Sequence, residues 1–160
     1  MTCVSLRSGM ASSGTERSEK APATAEGKKS CDGHPRALRI LLAEDTLANQ
    51  KLVKSILTKR GHLVEVAANG REAVNLVRQA DFDLALMDVQ MPQMDGLEAA
   101  RQIRSLAHHG RTPIVAITAN AFARDRADCT QAGMNDFIAK PFSPVELYQT
   151  LLRWMSGPGA

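Results

Sequence analysis

Five short apolar runs of strand length, each followed by a helix-patterned stretch, narrow the possible folds of this chain more than any other feature. Residues 38–43 form a continuous apolar run, as expected of a strand covered by helices on both faces. Residues 46–60 follow as a helix, with Leu52, Val53, Ile56 and Leu57 on one face and Gly61 as a stop. Residues 63–67 read as a second strand. Asn69-Gly70-Arg71-Glu72 then has the spacing of a capping box, opening a helix with Ala73, Val74, Leu76 and Val77 inside. Residues 83–87 are a third strand ending at Asp88. Asp95 and Glu98 cap the next helix, which carries Leu97, Ala100, Ile103 and Leu106. Residues 113–117 make strand four, a helix over 124–132 stops at Gly133, and residues 136–139 make strand five. Ser143-Pro144-Val145-Glu146 combines an N-cap, a proline at the first helical position and a glutamate two positions later. It opens a last helix with Val145, Tyr148, Leu151, Leu152 and Met155 on one stripe.

Strict strand–helix alternation requires a parallel sheet with right-handed crossovers and helices on both faces. For about 120 residues the natural solution is an α/β, doubly wound, five-stranded sheet of the flavodoxin-like (βα)5 type, in strand order 2-1-3-4-5. In that order ligands sit beyond the carboxyl ends of the strands, at the switch between strands one and three.

The rest of the chain supports one folded domain. Residues 1–37 are rich in Ser, Thr, Ala, Gly, Lys and Glu, and cannot bury enough apolar surface to offset their ordering entropy. They are expected to be a disordered leader or linker, with the domain over 38–156 and a short tail over 157–160. No apolar run approaches the roughly 18–20 residues of a membrane span, and residues 1–15 lack the apolar core of a secretory signal. A soluble, cytoplasmic protein is expected. The net charge of +3 is small, and Lys20, Lys28, Lys29 and Arg36 supply much of it near the start. With only six aromatic residues and no basic face interleaved with them, nucleic-acid binding is unsupported. Cys3, Cys31 and Cys129 are too widely spaced for a metal motif, and no histidine complements them.

The strand ends carry the chemistry. Strand one delivers Glu44-Asp45, strand three Asp88, strand four Thr118 and strand five Lys140, all to the same sheet edge. One charged residue at a strand end is ordinary; three carboxylates, a hydroxyl and an ammonium converging on one crevice are not. Two carboxylates about 4 Å apart repel by roughly 4 kcal/mol at an effective dielectric near 20, and Lys140 offsets only part of three such charges. A hard divalent cation fits the remainder, and Mg²⁺ suits one or two carboxylates, waters and a phosphate oxygen. Asp88 or Asp45 is thereby a candidate phosphoryl acceptor, with Lys140 and Thr118 shielding the incoming oxygens.

The segments LLAEDTLANQ, LMDVQMPQMDGLEA, PIVAITANAF and GMNDFIAKPF, in that order, resemble the signature blocks of the response-regulator receiver domain, the CheY-like phosphoacceptor of two-component signalling. The likeness runs from residue 38 to 155 and is closest to receivers of hybrid histidine kinases. It implies that Asp88 is phosphorylated by a histidine kinase or histidine phosphotransfer protein. It makes Asp45 the principal Mg²⁺ ligand, joined by Asp88 and the backbone carbonyl of Gln90, with Glu44 an acidic neighbour outside the ligands. It makes Thr118 the switch hydroxyl, Lys140 the phosphoryl's cationic partner, Lys140-Pro141 a cis bond and Phe137 the switch aromatic. Phe137 lacks the hydroxyl of the tyrosine often found there, and Thr46 stands where hybrid-kinase receivers often have asparagine.

The implied protein is no turnover enzyme, although it catalyses its own phosphorylation and dephosphorylation. It contains no kinase core and would be a stand-alone receiver or the receiver part of a hybrid kinase. Two alternatives compete: an interaction module of receiver fold that works without phosphorylation, and an aspartate-based phosphohydrolase. For the second, Asp81-Phe82-Asp83 reads DxD, but it precedes a strand instead of following the first one.

Overall fold

The computed structural model describes residues 36–108, 110–119 and 122–155. Apart from Arg36 and Ala37, the expected leader lies outside the described residues, as do Cys3, Cys31 and the expected tail. The elements alternate as the apolar runs require: β1 (Arg39–Ala43), α1 (Leu47–Thr58), β2 (Leu63–Ala67), α2 (Gly70–Gln79), β3 (Leu84–Asp88), α3 (Gly96–Ser105), β4 (Ile114–Thr118), α4 (Ala123–Gln131), β5 (Asp136–Ala139) and α5 (Pro144–Met155). The five strands pair in parallel in the order β2-β1-β3-β4-β5. This is the flavodoxin-like (βα)5 arrangement expected from the alternation.

The three central strands are buried on both faces, and their residues divide between two cores with the strand's period of two. Leu41, Ala43, Ala85, Met87, Ile114 and Ala116 face a core completed by α2, α3 and α4. Ile40, Leu42, Leu84, Leu86, Val115 and Ile117 face a second core completed by Val53 and Leu57 of α1 and Leu147 and Leu151 of α5. The edge strand β2 is only partly covered, and Leu63 at its start is 65% exposed. Burying a leucine or isoleucine completely contributes about 1.5–3 kcal/mol. These alternating sets therefore fix the strand registers, because a one-residue slip would turn each set to the wrong core.

Helix starts follow their local chemistry. Asn69 Oδ1 accepts from the Glu72 N–H at 2.9 Å, and Asp95 Oδ1 accepts from the Glu98 N–H at 2.8 Å. At α5 the exchange is reciprocal: Ser143 Oγ accepts from the Glu146 N–H, and Glu146 Oε2 accepts from the Ser143 N–H. Helix α1 departs from this rule, because its N-cap Thr46 makes no side-chain cap bond. The Thr46 hydroxyl instead donates to Asp45 Oδ1 at 3.1 Å.

Two helix stripes differ from the pattern in the sequence. Leu52 is 52% exposed, so α1 meets the core through Val53 and Leu57. On α5, Val145 and Leu152 are exposed, while Leu147, Thr150 and Leu151 are buried. The last helix begins at Pro144, and its inward face runs through positions three, six and seven after that start. The apolar side chains on either flank obscured this phase.

At the sheet edge where the strands begin, Arg104 ties together the α3–β4 and α4–β5 connections. Its guanidinium donates to the carbonyls of Gly110, Thr112 and Gly133 and to Asn135 Oδ1, at 2.6–2.9 Å. Gly133, the expected helix stop, has φ +87°, and a Cβ there would stand 2.8 Å from the Arg104 side chain. The position thus needs glycine for both its backbone and its neighbour.

His62, between α1 and β2, is 3% exposed and accepts the Leu38 N–H on Nδ1 at 3.3 Å. Its Nε2 is buried without a hydrogen-bond partner. Burial, aided by the nearby Arg60 guanidinium, holds this imidazole below its ordinary value of 6.5. The unfolded chain therefore binds a proton that the folded chain refuses. The His62 contribution is complete above about pH 6.5 and is lost as pH falls toward the lowered value, at up to about 1.4 kcal/mol per pH unit. Urea unfolding of His62→Gln should show a shallower loss of stability below pH 6.5 than the wild-type chain. Parallel curves would refute the assignment.

Candidate functional site

The carboxyl ends of β1, β3, β4 and β5 bring together the side chains singled out in the sequence. Glu44 and Asp45 follow β1, Asp88 ends β3, Thr118 ends β4, and Lys140 follows β5. Glu44, Asp88 and Thr118 are buried, at 1%, 4% and 6% exposure, whereas Asp45 is exposed.

Lys140 is the centre of the cluster. Its Nζ donates to Asp88 Oδ2 at 2.5 Å and to Glu44 Oε2 at 2.9 Å. The Lys140 N–H donates to the Thr118 carbonyl at 2.7 Å, fixing the end of β5 against β4, and the Lys140-Pro141 bond is cis. Burial holds Asp88 above the ordinary carboxylate range, against the opposing Lys140 bond and the Gln90 N–H. Burial alone would lower Lys140, but its bonds to Asp88 and Glu44 outweigh that and hold it above the ordinary range. The ammonium is therefore charged at any physiological pH.

Asp88 is presented by a tightly built loop. Its Oδ1 accepts from the Gln90 N–H at 3.1 Å, and the Gly96 N–H donates to the Val89 carbonyl at 3.0 Å. A Cβ on Gly96 would stand 2.1 Å from the Asp88 carbonyl oxygen. Only glycine lets the start of α3 close over the strand end this tightly.

Carboxylate oxygens of Glu44, Asp45 and Asp88 lie within 4.8 Å of one another. Three carboxylates around one ammonium leave excess negative charge with oxygen donors alone, which fits a hard divalent cation such as Mg²⁺. Their present bonds divide them. Both Glu44 oxygens are engaged by the protein: Oε2 by Lys140, and Oε1 by the Thr46 N–H at 3.3 Å and Asn49 Nδ2 at 3.0 Å. Asp45 accepts only the Thr46 hydroxyl among the bonds described.

Asn49 and Gln50, whose amide donates to the Glu44 carbonyl at 2.6 Å, are site residues that sequence reasoning passed over. The available signal was two amides in the first turn of the helix that leaves the acidic pair. Phe137 lies half-buried beyond this centre, with the Arg126 guanidinium 4.0 Å from its ring centroid. Cys129 is a buried, apolar-packed thiol of α4. Asp81 and Asp83 stand before β3, at the opposite sheet edge, where Asp83 pairs with Arg36 and accepts the Arg39 N–H. That pair shares no crevice with Lys140.

The family model of the response regulator receiver domain matches residues 40–152. This chain belongs to that family. The receiver domain is 40% identical over 123 residues to the signal transduction histidine-protein kinase BarA of Escherichia coli, a match covering 77% of this chain but 13% of BarA. The chain thus spans a small part of the curated relatives it matches. Among solved structures it is similar to the receiver domain of the sensor histidine kinase PA1611 from Pseudomonas aeruginosa, with 42% identity and a TM-score of 0.72. That match covers 76% of this chain and all of the other, which holds a magnesium ion coordinated in its active-site cleft. It is also similar to a structure from Saccharomyces cerevisiae, the phosphotransfer protein Ypd1 with the receiver domain of Ssk1. There the identity is 31% and the TM-score 0.72, over 75% of this chain and 90% of that one. No helix among the described residues is long and apolar enough to cross a membrane.

Proposed function

We propose that residues 38–156 act as the phosphoacceptor of a two-component phosphorelay, with Asp88 taking the phosphoryl group from a phosphohistidine. The donor is a histidine kinase or histidine phosphotransfer protein, and the reaction belongs in the cytoplasm. The observation that carries this reading is the Lys140 ammonium held between two buried carboxylates, beside the exposed carboxylate of Asp45. In the transfer, an Asp88 carboxylate oxygen bonds to phosphorus, the P–N bond breaks, and its electron pair returns to the donor imidazole. Little covalent chemistry is asked of the protein beyond positioning and charge.

Asp45, Asp88 and the backbone carbonyl of Gln90 are the groups that would hold Mg²⁺, with Glu44 bonding outside them. When bound, Mg²⁺ supplies positive charge to the phosphoryl oxygens. Lys140 gives a second fixed cation, already 2.5 Å from Asp88. The Thr118 hydroxyl, buried at the neighbouring strand end, donates to a phosphoryl oxygen once one is present. Phosphorylation biases the fold only through such contacts, which differ between the two states. The face of α4, β5 and α5 reads them out: Phe137 borders a groove of about 700 Å³ there, with Pro141, Leu152 and Arg153. Residues 1–37 serve as a leader or linker and 157–160 as a tail.

The test is transfer from a phosphohistidine protein to the full chain. Label should leave the donor and appear on this chain in Mg²⁺, and chelation should stop it. Label that stays on the donor in Mg²⁺, or moves equally well with chelator, contradicts the proposal.

A further inference from the structure

We infer that Asn49 is a positioning residue for the phosphoryl-accepting centre, acting through Glu44 on Lys140; this rests on Asp88 being the acceptor. Glu44 is 1% exposed, and a buried carboxylate is costly unless both of its oxygens meet donors. Its Oε1 faces α1, where the Asn49 amide at 3.0 Å and the Thr46 N–H at 3.3 Å donate to it. Its Oε2 faces Lys140 at 2.9 Å. The carboxylate is therefore clamped in one rotation, and the second oxygen serves as a fixed anchor for the ammonium. Lys140 is a long side chain with several rotatable bonds, and its contact with Asp88 at 2.5 Å depends on that anchor.

Without the Asn49 amide, Oε1 keeps only the longer bond to the Thr46 N–H. The Glu44 carboxylate is then free to rotate, and Lys140 loses one of the two contacts that aim it. Phosphorylation requires the ammonium beside the Asp88 oxygens while the new P–O bond forms and the bond to the donor's leaving group breaks. A loosely held lysine serves that geometry only part of the time. Asn49 also lines a groove of about 330 Å³ with Leu52, Lys140, Pro141 and Phe142. The clamp therefore begins at the surface of α1 and ends at the reacting carboxylate.

The experiment measures initial labelling of the full chain by acetyl phosphate in Mg²⁺, where acetate leaves as phosphorus bonds to Asp88. Asn49→Ala should slow labelling about tenfold, and Asn49→Gln, which keeps an amide donor, should recover part of that loss. The deciding readout is a double-mutant cycle: in a Lys140→Ala background, Asn49→Ala should have no further effect. If Lys140→Ala labels too slowly to time, the same cycle is read from the affinity for beryllofluoride, a phosphoryl mimic. An equal loss from Asn49→Ala with and without Lys140, or no loss in the wild-type background, overturns the assignment. No labelling of the wild-type chain at all would instead overturn the acceptor role on which it rests.

Discussion

Asp88→Asn should take up no phosphoryl group from a phosphohistidine protein or an acyl phosphate, while still unfolding as one cooperative domain. The amide keeps the shape of the carboxylate but lacks the anionic oxygen that bonds to phosphorus. Its oxygen can still accept from Gln90 or Lys140, which donate to the two Asp88 oxygens in the wild-type chain. Removing one partner of a buried ion pair commonly costs 3–5 kcal/mol, roughly, because a charge is stranded. Here Lys140 keeps Glu44 at 2.9 Å, and the repulsion between two buried carboxylates is relieved. The stability change should therefore stay within about 2 kcal/mol. Intact-mass measurement checks the first expectation and urea unfolding the second. Labelling at even a tenth of the wild-type rate would contradict the acceptor role.

The second large effect concerns Asp45. Asp45→Ala should weaken Mg²⁺ binding by at least ~100-fold, beyond the ~10–100-fold typical of losing a group outside the metal's own ligands. At a hundred times its dissociation constant, Mg²⁺ should stabilise the wild-type fold by about 2.7 kcal/mol, and this increment should fall to about 0.4 kcal/mol or less in the variant. Metal-free, the variant should be slightly more stable than the wild type, because one of three carboxylates within 4.8 Å is gone. That gain should be no more than about 1 kcal/mol, since Asp45 is exposed and water screens it. Thermal melts with and without Mg²⁺ separate the two effects. An unchanged Mg²⁺ increment would remove Asp45 from the site.

Much of this centre was legible in the sequence because strand ends are legible. In a parallel sheet every strand points the same way, so Glu44, Asp45, Asp88, Thr118 and Lys140 meet at one edge as soon as the five apolar runs are recognised. What stayed hidden depends on side-chain direction. Asn49 and Gln50 read as ordinary polar positions of α1, and only the turn after β1 aims both amides back at Glu44. Thr46 reads as the first residue of the helical stretch, yet it stands just before α1 with its hydroxyl turned to Asp45. The phase of α5 was obscured because Val145 and Leu152 are as apolar as the buried Leu147 and Leu151. Hydrophobicity alone does not separate a core stripe from an exposed apolar flank. Arg104 gave no pattern at all, since its partners are mostly backbone carbonyls brought together by two separate connections.

The central claim is that one carboxylate, that of Asp88, carries the phosphoryl group. It is tested by labelling the full chain in Mg²⁺, trapping with borohydride and mapping the peptides. Borohydride delivers two hydrides in turn to the acyl carbon of an aspartyl phosphate: the first expels phosphate and leaves an aldehyde, and the second, with a proton from water, reduces it to homoserine at the modified position. The account predicts homoserine at position 88 and at no other acidic residue. Homoserine at position 45, or a labelled chain with aspartate intact at position 88, would contradict it.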